Sequence, residues 1–114
     1  MATLYHNGTC SKSRAVKAIL EDCDPGHETI SYLETPPSAD ELRHICALLN
    51  ICPRDLVRDG EPAFAEHFAE AELDDDGWIE AMIAHPILIQ RPIVIHQGQA
   101  RIGRPPECVR ELFT

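Results

Sequence analysis

The order of secondary-structure signals along the chain is the feature that most constrains its fold. A short apolar segment runs into a His-Asn-Gly-Thr loop, and apolar residues at helical spacing follow directly after Cys10. The predicted elements are a strand over 2–5, a helix through Leu20, a strand over 28–33, a helical block, a strand over 92–96, a strand over 100–103 and a closing helix after Pro106. This order predicts an α/β fold with a small, mixed, four-stranded sheet. The helical block is expected as an insertion between the second and third strands, at about residues 36–85.

The start of the helical block is marked by two kinds of signal. Pro36 and Pro37 end the second strand because proline donates no hydrogen bond to a sheet. Ser38 and Glu41 have the spacing of a capping box, and an amphipathic stripe follows at Leu42, Ile45, Cys46 and Leu49. We expect three further helices in the block: one from Pro53 through Arg58, one after Pro62 and one after the acidic run 74–76.

Composition and charge exclude several functional classes. The chain has 114 residues, of which 44% are apolar and 25% charged, as in soluble globular proteins. No apolar run approaches the roughly 20 residues of a membrane helix, and the N-terminus lacks the pattern of a signal peptide. The formal charge of −9 argues against binding to nucleic acid. We therefore expect one cytoplasmic domain over residues 1–114, with neither a membrane nor a nucleic acid as partner.

The five cysteines do not form a recognisable disulfide or metal pattern. They lie at irregular spacings, and no two have the C-x-x-C separation of a redox dithiol or a zinc ribbon. Cys46 falls on the apolar stripe, and most of the others are expected to be small buried hydrophobic residues. We predict no metal site and no bound cofactor.

Cys10 has the setting of a reactive thiol. A cysteine directly before a helix meets the positive end of the helix dipole and unpaired backbone N–H groups, which favour the thiolate. Lys12 and Arg14 add positive charge nearby, and Ser11 and Ser13 offer hydroxyls to a bound anion. The same features that would lower the thiol pKa therefore predict an anion site beside it.

His6 and three arginines are the other candidates for this site. His6 is expected either to add charge and orient the thiolate or to be a loop histidine bonded to backbone. Arg58, Arg91 and Arg104 stand next to Gly or Pro signals, but spacing alone leaves each open as an ordinary surface charge. Their planar guanidinium groups suit a tetrahedral oxyanion.

Four segments of the chain resemble glutaredoxin-linked arsenate reductases of the ArsC family. They are 5–14 (YHNGTCSKSR), 32–37 (YLETPP), 85–94 (HPILIQRPIV) and 101–107 (RIGRPPE), and the resemblance runs in order from about residue 3 to residue 113. It implies a thioredoxin-like fold. It also implies that Cys10 attacks arsenate, that glutathione attacks the adduct, and that glutaredoxin restores the thiol.

The resemblance further implies roles for individual residues. Arg58, Arg91 and Arg104 would hold the anion, with Lys12, Arg14 and Pro92 also in the substrate site. His6 would help keep the thiol ionised, and Ser13 would supply a nearby hydroxyl. Pro92 would be the cis-proline that packs beside the cysteine.

Two other functions stay open at this level. The loop reads Ser11-Lys12 where better-known arsenate reductases have Gly-Thr, and glutathione-dependent thiol-disulfide reductases share the family fold. Regulators of the Spx type, which contact RNA polymerase, also share it. These regulators typically use a C-x-x-C switch, and Ser13 occupies the position of its second cysteine.

Overall fold

The computed structural model describes residues 2–113, and its element order is the one predicted. Within these residues, strands β1–β4 span Thr3–His6, Glu28–Ser31, Ile93–His96 and Gln99–Ile102. The α-helices α1–α4 span Ser11–Cys23, Ala39–Leu49, Pro62–His67 and Asp75–Ala84. Short 3₁₀ helices span Pro53–Leu56, Pro86–Leu88 and Pro106–Phe113.

The four strands form one mixed sheet in the order β2-β1-β3-β4. β1 and β2 are parallel, with His6 opposite Ser31, and helix α1 connects them. β3 lies antiparallel to β1, and β4 returns beside β3 through the turn at Gln97 and Gly98. The predicted thioredoxin-like class, with its helical insertion between the second and third strands, is confirmed. Because β1 is central and followed by α1, the loop between them opens at the middle of the sheet edge.

The chain divides into two compact units. One contains the sheet and consists of residues up to Thr35 together with those from Arg91 onward, and the other is the helical unit Pro36–Gln90. The expectation of one domain over residues 1–114 stays a prediction. In the sheet unit, α1 packs against the 3₁₀ helix Pro106–Phe113. Its core is formed by Ala2, Leu4, Val16, Leu20, Val94, Val109 and Leu112.

Gly103, the residue after β4, is required to be glycine because α1 and Pro92, the residue before β3, approach its backbone closely. A Cβ atom built there would lie 2.5 Å from Val16 Cγ2 and 2.9 Å from Pro92 Cγ, well inside carbon contact distance. We expect Gly103→Ala to lower the free energy of unfolding by about 1–3 kcal/mol in urea titration. The control is Gly60→Ala, where no heavy atom lies within 4 Å. Equal stability of the two variants would contradict this packing.

The helical unit follows its predicted start signals. Ser38 accepts a hydrogen bond from the Glu41 N–H and the Glu41 side chain accepts one from the Ser38 N–H, so the capping box is confirmed. Leu42, Ile45 and Cys46 on α2 are buried as the amphipathic stripe predicts. At α4, the Asp74 carboxylate accepts the Gly77 N–H at 2.7 Å, which satisfies one helix-end donor.

Several predicted boundaries are wrong. The first helix continues to Cys23 rather than ending at Leu20, and the first and fourth strands are each shifted by one residue. The helix from Pro53 ends at Leu56 rather than Arg58, because Val57 is extended and pairs with Ile89. The second strand ends at Ser31 rather than Leu33. There, the Ser31 carbonyl accepts the N–H groups of the third and fourth residues after it, which turns the chain.

The cysteines other than Cys10 are less uniformly buried than predicted. Cys46 is buried, with 4% of its surface exposed, and burial raises the pKa of its thiol. Cys23 and Cys108 are half-buried, and burial likewise raises the pKa of Cys108. Cys52 is exposed. It precedes a proline in a surface connection rather than lying on an apolar helix face, so the expectation of burial fails there.

Candidate active site

The loop before Cys10 is held by a buried asparagine. Asn7 is only 4% exposed, and its Oδ1 accepts hydrogen bonds from the Thr9 N–H at 3.0 Å and the Thr9 hydroxyl at 2.8 Å. Its carbonyl accepts the Cys10 N–H at 3.0 Å. One side chain and one peptide group therefore set the path of the chain into Cys10. Asn7 is not among the residues predicted for the site, although an Asn-Gly pair between a strand and a helix is a signal for such a turn.

Cys10 occupies the N-cap position of α1. Its backbone is extended, with φ −94° and ψ 123°, and its carbonyl accepts the Arg14 N–H of the first helical turn. Its side chain makes no capping hydrogen bond to the first turn of the helix. The N–H groups of Lys12 and Ser13 nevertheless face the sulfur closely enough to act on its ionisation. The predicted position of the thiol at the start of a helix is confirmed.

Two guanidinium groups lie beside the Cys10 sulfur. Arg104 Nη2 is 3.8 Å from Sγ, and Arg104 Nε donates a hydrogen bond to the Arg91 carbonyl at 2.7 Å. The Arg91 side chain also hydrogen-bonds the sulfur. Arg91 lies two residues before β3 and Arg104 two residues after β4, so the β3–β4 pairing carries both arginines to the same place.

The surroundings of Cys10 favour its thiolate. Burial is the largest single effect and raises the pKa, but it is outweighed by hydrogen bonds from the Ser13 N–H, the Arg91 side chain and the Lys12 N–H, and by the Arg91 charge. The pKa of Cys10 is therefore below its ordinary value, as expected for a thiol at a helix N-terminus beside a guanidinium. The arrangement can hold a nucleophilic sulfur and an anion side by side.

His6 acts on the loop through Ser13. The Ser13 hydroxyl is fully buried, accepts the Asn7 N–H at 3.0 Å and lies 2.9 Å from His6 Nδ1. Because the buried hydroxyl hydrogen needs an acceptor, we assign Nδ1 as that acceptor and place the imidazole proton on Nε2. Burial, followed by the charges of Lys17 and Arg14, lowers the pKa of His6. His6 is therefore neutral at pH 7 rather than an added cation.

The remaining predicted site residues of the sheet unit have different settings. The Ser13 hydroxyl is committed to the loop, so it is the Ser13 N–H that faces the sulfur, contrary to the expectation of a hydroxyl for the anion. Arg14 donates to the Gly8 carbonyl at 3.0 Å, and the Lys12 side chain is exposed. Pro92 is buried, and the predicted cis peptide bond before it is present.

Arg58 belongs to the helical unit. Its N–H donates to the Leu88 carbonyl at 2.6 Å, and its side-chain Nε lies 3.5 Å from a Glu61 carboxylate oxygen. Its predicted contact with the anion stays a prediction.

Among residues 2–113, no group of three or more His, Cys, Asp and Glu side chains is arranged to hold a metal ion. None of the helices in that part of the chain is long and apolar enough to cross a membrane.

The thioredoxin-like sheet presents one thiolate at the start of a helix, with two guanidinium groups beside it. These features place the protein in the class of thioredoxin-like proteins that have a single reactive thiol. The chain belongs to the ArsC family, whose signature it matches over residues 5–112.

Its relatives cover nearly the whole chain. It is 41% identical to the uncharacterised protein YfgD of Escherichia coli K12, over 96% of this chain and 93% of that protein. It is 38% identical to an arsenate reductase of Neisseria meningitidis, over 96% of both chains. Among solved structures, an arsenate reductase from Vibrio cholerae superposes with a TM-score of 0.91 at 43% identity, covering 97% of this chain and 96% of that one.

Proposed function

We propose that this protein is an arsenate reductase in which Cys10 is the nucleophile. The observation that carries the proposal is the sulfur itself, which has a lowered pKa and lies beside the guanidinium groups of Arg91 and Arg104. A thiolate and an oxyanion repel each other, and fixed positive groups offset this repulsion where charge develops. The relatives named arsenate reductase support arsenate as the anion.

In the first step, the Cys10 thiolate attacks the arsenic atom of arsenate. An S–As bond forms, one As–O bond breaks, and the departing oxygen takes up protons and leaves as water. Arg91 and Arg104 are proposed to bind the remaining arsenate oxygens through charge-assisted hydrogen bonds. Arg58 is proposed as the third anion ligand, and Lys12 and Arg14 as further sources of positive charge.

In the second step, a glutathione thiolate attacks the Cys10 sulfur of the adduct. An S–S bond forms and the S–As bond breaks, with its electron pair retained by arsenic, which falls from the +5 to the +3 state and leaves as arsenite. A glutaredoxin thiol then takes the glutathionyl group and releases the Cys10 thiolate. The reductants are proposed to come from outside because the sequence has no second cysteine at C-x-x-C spacing from Cys10, and Ser13 occupies that position. This assignment includes a cytoplasmic location, where glutathione is abundant and reduced.

The proposal is tested by incubating the purified protein with arsenate, glutathione and glutaredoxin and separating the arsenic species by chromatography. We expect arsenite to form in a one-to-one ratio with oxidised glutathione and to depend on the protein. The controls omit the protein, the glutathione or the glutaredoxin in turn. Absence of arsenite with folded protein, together with reduction of a glutathionylated protein, would overturn arsenate as substrate and assign a thiol-disulfide reductase.

A further inference from the structure

A groove lies beside the active-site loop, at the carboxyl ends of β1 and β2. It has a volume of about 330 Å³ and is lined by residues from the β1–α1 loop, His6 to Thr9, and from the end of β2, including Leu33 and Glu34. The two strands are adjacent and parallel, so their carboxyl ends open side by side, which is where ligands bind in open α/β sheets. Thr9 is the residue before Cys10, which places the groove next to the reactive residue along the chain.

The charge of the groove differs from that of the sulfur site. Glu34 is exposed and is the acidic residue in its lining, and within residues 2–113 its carboxylate has no hydrogen bond or ion pair. His6, the basic residue of the lining, is neutral at pH 7 because its pKa is lowered. Glu34 therefore offers the groove a carboxylate for a cationic group, and Arg14, which donates to the Gly8 carbonyl, is the nearby cation. Arg91 and Arg104, by contrast, favour an anion beside the sulfur.

The groove also offers a polar donor and an apolar wall. Asn7 is 96% buried, its Oδ1 orientation is fixed by Thr9, and its Nδ2 has no partner among the described residues. This amide N–H is therefore available to donate a hydrogen bond to a ligand carbonyl or carboxylate. Leu33 is 42% exposed and provides apolar contact area.

We propose that this groove binds the thiol co-substrate as a small peptide with a free α-ammonium group, such as glutathione. The ammonium group pairs with Glu34, a peptide carbonyl or carboxylate accepts from Asn7 Nδ2, and the ligand's aliphatic part packs on Leu33. The thiol donor and the oxyanion then occupy separate subsites next to one cysteine. This inference rests on the proposed function for its reaction, but binding to the groove can be measured without arsenate.

The test uses glutathione disulfide as the probe. The Cys10 thiolate attacks one of its sulfurs, a Cys10–glutathione disulfide forms, and one glutathione thiolate leaves, so no other reagent is required. Mass spectrometry follows the rate of this modification. Hydroxyethyl disulfide, which carries no charge, serves as the comparison because it reports only the reactivity of the sulfur.

We expect Glu34→Gln to slow the reaction with glutathione disulfide about fivefold, as for the loss of an exposed ion pair, and to leave the reaction with hydroxyethyl disulfide unchanged. The difference should shrink in high salt, which screens exposed charges. Glu28→Gln removes an exposed carboxylate from the other end of β2 and should change neither rate.

The outcomes separate this inference from the proposed function. Equal rates for wild type and Glu34→Gln with glutathione disulfide, or equal slowing with both disulfides, would overturn the groove assignment while arsenite formation stands. An effect of Glu34→Gln confined to glutathione disulfide would support the groove even if the wild type formed no arsenite, in which case only arsenate as substrate would be rejected.

Discussion

Replacing Cys10 with serine should abolish arsenite formation, by more than about 10³-fold, and leave the fold intact. A serine hydroxyl at this position is protonated at neutral pH and does not provide the electron-rich sulfur that attacks arsenic. It also cannot form the disulfide through which the arsenic is reduced. Both steps of the proposed reaction are therefore lost together, and the quantity to measure is arsenite formed per enzyme under saturating glutathione.

The same substitution should not lower stability. Cys10 is the N-cap of α1 without a capping hydrogen bond of strict geometry, whereas serine is among the best N-cap residues. We expect the free energy of unfolding of Cys10→Ser to be unchanged or to rise by up to about 1 kcal/mol. A residue chosen for stability alone would be serine, so the thiol is explained by chemistry rather than by packing.

The matched control is Cys52→Ser, which makes the same atomic change at an exposed thiol. It should retain the wild-type rate and stability. If Cys10→Ser turned over arsenate, or if Cys52→Ser alone lost activity, the assignment of the nucleophile would be wrong.

Replacing Arg91 with glutamine should reduce kcat/KM for arsenate by about 10²-fold, the usual effect of losing one positively charged contact to a developing oxyanion. The guanidinium of Arg91 also hydrogen-bonds the Cys10 sulfur and supplies its positive charge there. The variant should therefore lose both anion binding and part of the thiolate stabilisation.

The second effect has a defined pH dependence. A thiol with a lowered pKa is ionised, and so alkylated by iodoacetamide, at a pH where an ordinary thiol is still protonated. Removing Arg91 should raise the pKa of Cys10 and move the rise in alkylation rate to higher pH. At pH 7 the alkylation rate should fall several-fold, while well above the pKa of the variant the difference narrows because both proteins are fully ionised.

Arg110→Gln is the matched control, since Arg110 also contacts a thiol, with Nη1 3.6 Å from the Cys23 sulfur, in the same unit of the protein. It removes the same charge and should leave both the alkylation profile of Cys10 and arsenite formation unchanged. An identical alkylation profile for Arg91→Gln and wild type would contradict the role given to Arg91.

Local signals were sufficient for most of the fold. The Ser38 to Glu41 capping box, the Gln97-Gly98 turn and the apolar spacings depend on residues close in the chain, and these elements form where predicted. The predicted end of the helix from Pro53 was wrong because that end depends on a distant segment: Val57 pairs with Ile89. A pairing between residues so far apart leaves no local signal.

The same distinction holds for the site. That Cys10 would stand at a helix start, where N–H groups favour a thiolate, followed from neighbouring residues alone, because the helix dipole is a local property. That Arg91 and Arg104 flank this sulfur depended on the pairing of β1 with β3 and of β3 with β4, which brings together residues more than 80 positions apart.

The position of the thiol at a helix start therefore followed from the sequence, whereas the positions of the positive charges beside it depended on the tertiary structure. The role of Ser13 was decided at the same level: its hydroxyl is taken by Asn7 and His6, and its N–H is left to face the sulfur. Sequence spacing gives the backbone position of a side chain, but only packing decides whether its polar atoms are still available to a ligand.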